Sequence, residues 1–106
     1  MSDYDYIILG AGSAGCVLAN RLSKNPSNKV LLLEAGGSDR RFFIQMPIGY
    51  GVTYHQKAIN WMYMTEPSPD ADNKPSYWPR GKVLGGSSSI NAMVYVRGNH
   101  KDFDQW

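Results

Sequence analysis

The chain has 106 residues, of which 42% are hydrophobic and 19% charged, and its formal net charge is +2. This is enough for one small globular domain, and no basic stripe or block of like charge indicates a nucleic-acid partner. The sequence has neither the roughly 18 consecutive apolar residues of an integral membrane segment nor the basic start of a secretory signal. The single cysteine, Cys16, excludes an internal disulfide and fits a reducing compartment. We therefore expect a cytoplasmic protein, with peripheral attachment to a membrane left open.

The first part of the chain predicts a strand–helix–strand unit. Residues 4–9 and 29–33 are short apolar runs rich in β-forming side chains, as in buried parallel strands. The apolar pattern between them predicts a helix over about residues 13–24. A right-handed crossover then makes the two strands parallel and adjacent.

The remaining two thirds of the chain lack such order. Residues 35–80 contain all but one of the six prolines and many aromatic side chains, with no sustained period of 3.6 or 2 residues. We expect a long aromatic-rich arm, with a short strand near residues 60–64 and a turn-rich link over residues 68–75. A structureless segment of this length is rare inside a compact small domain, so we expect the chain to be part of a larger one.

The last 20 residues contain three further signals. Serines at residues 87–89, placed before an apolar segment, predict the start of a helix. Residues 93–96 are a candidate strand. Asn99 predicts the N-cap of a new helix, which the chain follows for about two turns before Trp106.

Three glycines near the first strand have the spacing of dinucleotide-binding proteins. Gly10, Gly12 and Gly15 form G-x-G-x-x-G after a predicted strand and at the start of a predicted helix, and Glu34 lies about 20 residues further on. Gly10 permits a tight turn, Gly12 lets the backbone approach a pyrophosphate, and Gly15 allows close helix–strand packing. The helix N-terminus favours phosphate, and Glu34 can accept hydrogen bonds from ribose hydroxyls. The alternative is a glycine-rich turn without a ligand.

The fingerprint itself fits both FAD and NAD. Gly36 and Gly37 follow the acid closely, and the fingerprint lies at the very start of the chain. Both features favour FAD.

A second glycine- and serine-rich run occupies residues 81–91, where Gly85-Gly86 precedes three serines and Asn91. This run resembles the first signature of the glucose–methanol–choline (GMC) oxidoreductase family, and the match continues to Asp104. With the fingerprint and residues 61–67, the resemblance covers nearly the whole chain. Residues 77–82 are similar to the bacterial choline-dehydrogenase and alcohol-dehydrogenase branch.

The resemblance implies an α/β fold, the N-terminal part of a Rossmann-like FAD-binding domain, with the substrate domain and C-terminal catalytic segment outside residues 1–106. Family members transfer a hydride from an alcohol carbon to the flavin, with a histidine near the C-terminus as base. Because His55 and His100 lie outside the matching motif, we assign no catalytic residue here and expect the chain alone to be inactive. The expected partners are a small, primary alcohol and an electron acceptor, either oxygen or a quinone-like molecule.

The resemblance also implies two groups of cofactor-binding residues. Glu34 would contact the adenosine ribose, and the pyrophosphate would lie against Gly10, Gly12, Ser13, Ala14 and Gly15. The flavin end would be lined by Gly86, Ser87, Asn91, Ala92 and Val94. Some members attach FAD covalently through a histidine just before the asparagine of this run. Ile90 occupies that position here, so we expect non-covalent FAD.

Two other functions explain part of the sequence. An NAD-dependent Rossmann dehydrogenase would account for the first motif and leave the second unexplained, and a non-catalytic nucleotide-binding module would need no catalytic residues. No spacing of histidines and cysteines predicts a metal site. We interpret Cys16 as core packing, and the aromatic residues between 42 and 63 as packing rather than as the lining of a channel.

Overall fold

The computed structural model describes residues 3–106 of the chain. Its helices and strands are short, and in chain order they are β1 (Tyr6–Leu9), α1 (Ser13–Leu22), β2 (Val30–Leu33), α2 (Phe42–Gln45), α3 (Tyr50–Thr53), β3 (Tyr63–Met64), β4 (Tyr77–Trp78) and α4 (His100–Asp104). Single 3₁₀ turns occur at Pro47–Gly49, Pro69–Ala71 and Gly86–Ser89.

The N-terminal unit is the predicted strand–helix–strand arrangement. Strands β1 and β2 are parallel neighbours in a register that runs from Tyr6 opposite Val30 to Leu9 opposite Leu33. Helix α1 packs tightly against the turn that follows β1. Gly15 lies so close to the carbonyl oxygen of Gly10 that an ideal Cβ on Gly15 would overlap that oxygen. The close helix–strand packing predicted for Gly15 is therefore present.

The aromatic-rich arm folds back on itself as a hairpin. Strands β3 and β4 are antiparallel, with Tyr63 opposite Trp78, and an isolated bridge between Asn60 and Gly81 lengthens the ladder. The strand predicted near residues 60–64 is thus confirmed in its last two residues. Helices α2 and α3 were not predicted, because four-residue helices are too short to show a helical period in sequence.

The hairpin returns the chain to the N-terminal unit. The amide of Leu84 donates to the Gly37 carbonyl at 2.9 Å, and the amide of Gly85 donates to the Ala11 carbonyl at 2.7 Å. Beneath this junction lies a small core of Ile59, Val83 and Ile90, which are at most 3% exposed. The second motif is thereby held against the first.

Three expectations from the sequence are wrong. Residues 93–96 form no strand: Met93 has φ of 54°, and Val94 is 75% exposed with no neighbouring strand among the described residues. The serines at 87–89 lie within one 3₁₀ turn and do not begin a longer helix. Cys16 is exposed rather than part of the core, and its Sγ donates to the Ala11 carbonyl at 3.2 Å.

The C-terminal helix begins as predicted. The side chain of Asn99 accepts a hydrogen bond from the amide of Lys101 at 3.1 Å, which caps α4. Among residues 3–106, no helix has the length and apolar character needed to cross a lipid bilayer.

Candidate cofactor-binding site

A cleft of about 670 Å³, which we call the main cleft, lies at the carboxyl ends of β1 and β2. It is lined by Leu9, Gly10, Gly12, Leu33, Glu34, Ala35, Trp61, Tyr63, Arg80, Gly81, Gly86 and Ser87. In open α/β sheets, ligands bind outside the carboxyl ends of the strands. The main cleft therefore lies where the fold predicts a nucleotide.

The glycine-rich turn leaves space at one edge of the main cleft. Gly10 has φ of +91°, a conformation that glycine adopts without steric cost. An ideal Cβ on Gly12 would have no heavy atom within 4 Å, so the backbone there faces open space. Gly12 is also the N-cap of α1 and makes no side-chain cap. The first amides of an α-helix have no acceptor within the helix, so this edge suits an anionic group.

Glu34 is anchored by two backbone amides. Its Oε2 accepts from the amide of Ala11 and its Oε1 from the amide of Gly36, both at 2.8 Å. A carboxylate oxygen can accept more than one hydrogen bond, so each oxygen keeps capacity for a ligand hydroxyl. The two amides fix the carboxylate at the end of β2 in the main cleft.

The two glycine motifs touch each other. Gly86 has φ of +59°, and an ideal Cβ on it would lie 3.0 Å from Cα of Gly12. Because both glycines line the main cleft, the second motif and the fingerprint form adjoining parts of its lining.

The three serines of the second motif use their hydroxyls differently. Ser88 Oγ donates to the Gly85 carbonyl at 2.6 Å, and Ser89 Oγ donates to the Leu84 carbonyl at 2.7 Å. Ser87 Oγ instead accepts from the amide of Gly81 at 3.1 Å, which leaves its own proton for a ligand. Only Ser87 of the three lines the main cleft.

An aromatic wall, formed by Trp61 and Tyr63, lies in the main cleft with Glu34. The two rings are stacked, with centroids 6.0 Å apart and planes 4° from parallel, and Lys82 Nζ lies 4.5 Å from the Trp61 ring centroid. The sequence interpretation treated these aromatic residues as packing and missed their place in the cleft. Their spacing in sequence gave no reliable signal, because Met62 between them has φ of 55° and interrupts the extended backbone.

The other predicted site residues lie away from this wall. Ser13 and Ala14 are exposed in the first turn of α1. Asn91 lines a second cavity of about 280 Å³, which adjoins the main cleft through the shared residues Arg80 and Ser87. Ala92 and Val94 are not among the residues that line either cavity. Their assignment to the flavin end stays a prediction.

The two histidines lie outside both cavities. The ring of His55 stacks on that of Tyr77, with centroids 6.0 Å apart, and His100 begins α4. Within residues 3–106, no three His, Cys, Asp or Glu side chains are grouped so that they could hold a metal ion.

The family model described as GMC oxidoreductase matches residues 4–106. The chain belongs to the GMC oxidoreductase family.

Curated relatives agree with this family over almost the whole chain. An alcohol dehydrogenase [acceptor] of Pseudomonas putida is 56% identical over 103 residues, which cover 97% of this chain and 19% of the relative. An oxygen-dependent choline dehydrogenase of Vibrio vulnificus is 58% identical over 103 residues, 97% of this chain and 18% of the relative. The chain thus spans about a fifth of the length of these GMC relatives.

Solved structures share the fold. Pyridoxine 4-oxidase from Mesorbium loti superimposes with a TM-score of 0.84 at 38% identity, over 98% of this chain and 20% of the oxidase. A formate oxidase from Aspergillus oryzae, described for the effect of a mutation on FAD modification, gives a TM-score of 0.80 at 36% identity, over 97% of this chain and 18% of the oxidase. The predictions of the GMC family, of an N-terminal FAD-binding region as the fold class and of FAD as the cofactor are confirmed.

Proposed function

We propose that this chain provides the FAD-binding site of an enzyme that oxidises CH–OH groups, with hydride transfer from a primary alcohol to the flavin. The observation that carries the proposal is the contact between Gly12 and Gly86, which brings two separate glycine motifs into the lining of one cleft. Bound FAD supplies the group that accepts the hydride. The residues described here bind and orient it, and we assign no catalytic base to them.

The shape and polarity of the main cleft fit the parts of FAD in order. The open backbone at Gly12 and the N-terminus of α1 suit the pyrophosphate. Glu34 suits the ribose hydroxyls, and the stacked rings of Trp61 and Tyr63 offer a flat apolar face to a purine base. We place the flavin end towards Ser87 and Asn91, which line the adjoining cavity.

The substrate class rests on the relatives. Proteins named alcohol dehydrogenase and choline dehydrogenase support a small alcohol. Oxygen and a quinone-like molecule both remain candidates for the electron acceptor. An NAD-dependent dehydrogenase would give the second motif no reason to line the same cleft as the fingerprint.

The visible absorption spectrum of the full-length protein tests the reaction. We expect two yellow flavin bands that bleach when a primary alcohol is added without oxygen. A colourless protein that cannot be reconstituted with FAD would contradict the cofactor assignment. A yellow protein that no alcohol bleaches would contradict the alcohol assignment alone.

Gly12→Val tests the phosphate site. A branched side chain would enter the open space at Gly12 without meeting protein atoms close to its Cβ, so we expect the fold to persist and FAD binding to weaken by more than about tenfold. FAD titration followed by flavin fluorescence measures the change.

Gly51→Val is the matched control. Gly51 also has open space around an ideal Cβ, but it lies in α3 and does not line the main cleft. We expect it to bind FAD as the wild type does. If the wild type, Gly12→Val and Gly51→Val all bind FAD equally well, the phosphate site is elsewhere.

A further inference from the structure

Asn60 is a buried polar residue just outside the main cleft. It is 1% exposed and precedes Trp61, yet it does not line the cleft itself. A buried amide side chain must have its hydrogen bonds satisfied, because burying an unpaired polar group is costly. The partners of Asn60 therefore show which segments it connects.

The side chain of Asn60 makes four hydrogen bonds. Its Nδ2 donates to the Tyr54 carbonyl at 2.8 Å and to the Tyr77 hydroxyl at 3.1 Å. Its Oδ1 accepts from the amide of Arg80 at 2.9 Å and from the amide of Met62 at 3.0 Å. These are two donors and two acceptor positions, the full capacity of an asparagine side chain.

Of the two amides that Oδ1 binds, one lies within the aromatic wall and the other lies across the hairpin from it. Met62 lies between Trp61 and Tyr63 and has φ of 55°, a left-handed conformation that is uncommon for a residue other than glycine. Arg80 belongs to the opposite strand of the hairpin, and its carbonyl accepts from the amide of Trp61 at 2.8 Å. One oxygen atom thus binds the backbone of the residue that follows Trp61 and the backbone of the residue that pairs with Trp61 across the hairpin.

We propose that Asn60 is a positioning residue for the cofactor: it holds the Trp61 ring in the lining of the main cleft, to which Glu34 also belongs, and so sets the affinity for the adenosine part of FAD. The proposal rests on the proposed function, because it requires FAD in the main cleft. It assigns to Asn60 an effect that acts through Trp61, without contact to the ligand.

A double-mutant cycle in the full-length protein tests this route. FAD dissociation constants are measured for the wild type, Asn60→Ala, Trp61→Ala and the double variant, at a temperature where circular dichroism shows each to be folded. We expect Asn60→Ala to weaken FAD binding about tenfold, and to add less than about twofold once Trp61 has been removed.

Thr53→Val is the control for a purely structural role. Thr53 is fully buried, and its Oγ1 donates to the Tyr50 carbonyl at 3.1 Å, but it does not line the main cleft. We expect it to lower stability without changing the FAD dissociation constant of the folded protein. If Asn60→Ala behaves in the same way, or weakens binding equally with and without Trp61, the proposal is wrong.

The cycle also separates the two proposals. If Trp61→Ala and Gly12→Val both bind FAD normally, the main cleft is not the cofactor site and both proposals fail. If those two variants lose affinity while folded Asn60→Ala does not, only the positioning role fails. Where Asn60→Ala does not fold at any temperature tested, Asn60→Ser takes its place in the cycle, because its hydroxyl lies one bond further from the two amides that Oδ1 binds.

Discussion

The carboxylate of Glu34 joins two backbone segments that follow different strands. Ala11 comes after β1 and Gly36 comes after β2, and each donates its amide to one carboxylate oxygen. Hydrogen bonds to an ionised acceptor are stronger than those between neutral groups. Glu34 therefore has a structural role that is present without any ligand, in addition to the ribose contact that we propose.

Glu34→Gln tests the structural role. Glutamine keeps one acceptor oxygen but turns an amide group towards the other backbone amide, which loses its partner. We expect the free energy of unfolding of the full-length protein to fall by about 1–3 kcal/mol. Urea denaturation measures it, with Glu66→Gln as the control at an exposed acid, where the change should stay within about 0.5 kcal/mol. Equal stability of Glu34→Gln and wild type would show that the two hydrogen bonds contribute little.

Ile90 bears on how the cofactor is attached. It is 3% exposed, packs in the core with Ile59 and Val83, and has a side chain without a nucleophilic atom. We expect acid precipitation of the full-length holoprotein to release all of the flavin into the supernatant. Yellow colour retained by the washed precipitate would contradict non-covalent attachment.

Among single residues, the spacing of the sequence motif was enough to locate those whose roles depend on one short stretch of chain. Gly10, Gly12 and Glu34 follow from a fingerprint that lies within one strand–helix–strand unit. Asn60 and Trp61 could not be assigned in this way, because their roles depend on pairing with Arg80 across the hairpin. A sequence pattern does not specify that pairing.

Among the elements, α1 packs with little steric freedom against the turn after β1. An ideal Cβ on Gly15 would overlap a backbone carbonyl oxygen, and backbone cannot move aside as a flexible side chain can. We expect Gly15→Ala to destabilise the protein by at least about 1–3 kcal/mol, measured as thermal or urea unfolding.

Gly51→Ala provides the comparison for Gly15→Ala. Its Cβ would meet nothing within 4 Å, and alanine favours helix over glycine by about 0.5–1 kcal/mol. This variant should be at least as stable as the wild type. Similar losses in both variants would argue against tight packing at Gly15.

The elements differ in how well sequence predicts them. Strands β1 and β2 were located to within two residues, because short apolar runs between polar and glycine-rich segments are distinctive. The candidate strand at residues 93–96 has suitable β-forming side chains but no neighbouring strand among the described residues, and a strand is defined by its neighbour. Propensity alone gave the wrong result there.

On the scale of the whole molecule, the described chain is extended. Its radius of gyration is 17.6 Å, whereas a compact domain of about 100 residues has one of about 13 Å. Apolar side chains of the parallel sheet are open to solvent, with Ile7 60% and Leu9 80% exposed. Parallel sheets are normally covered on both faces, so the stability of this unit depends on what packs against β1 and β2.

The contact between Gly12 and Gly86 also constrains the order in which the binding site can form. The two glycines are separated by most of the chain, while the strands and helix that carry the fingerprint are neighbours in sequence. A growing polypeptide emerges from the ribosome with its N-terminus first. A nascent chain that ends before Gly86 can already contain β1, α1 and β2, yet it lacks the part of the main cleft that the second motif forms, so the site is completed only once Gly86 has been added.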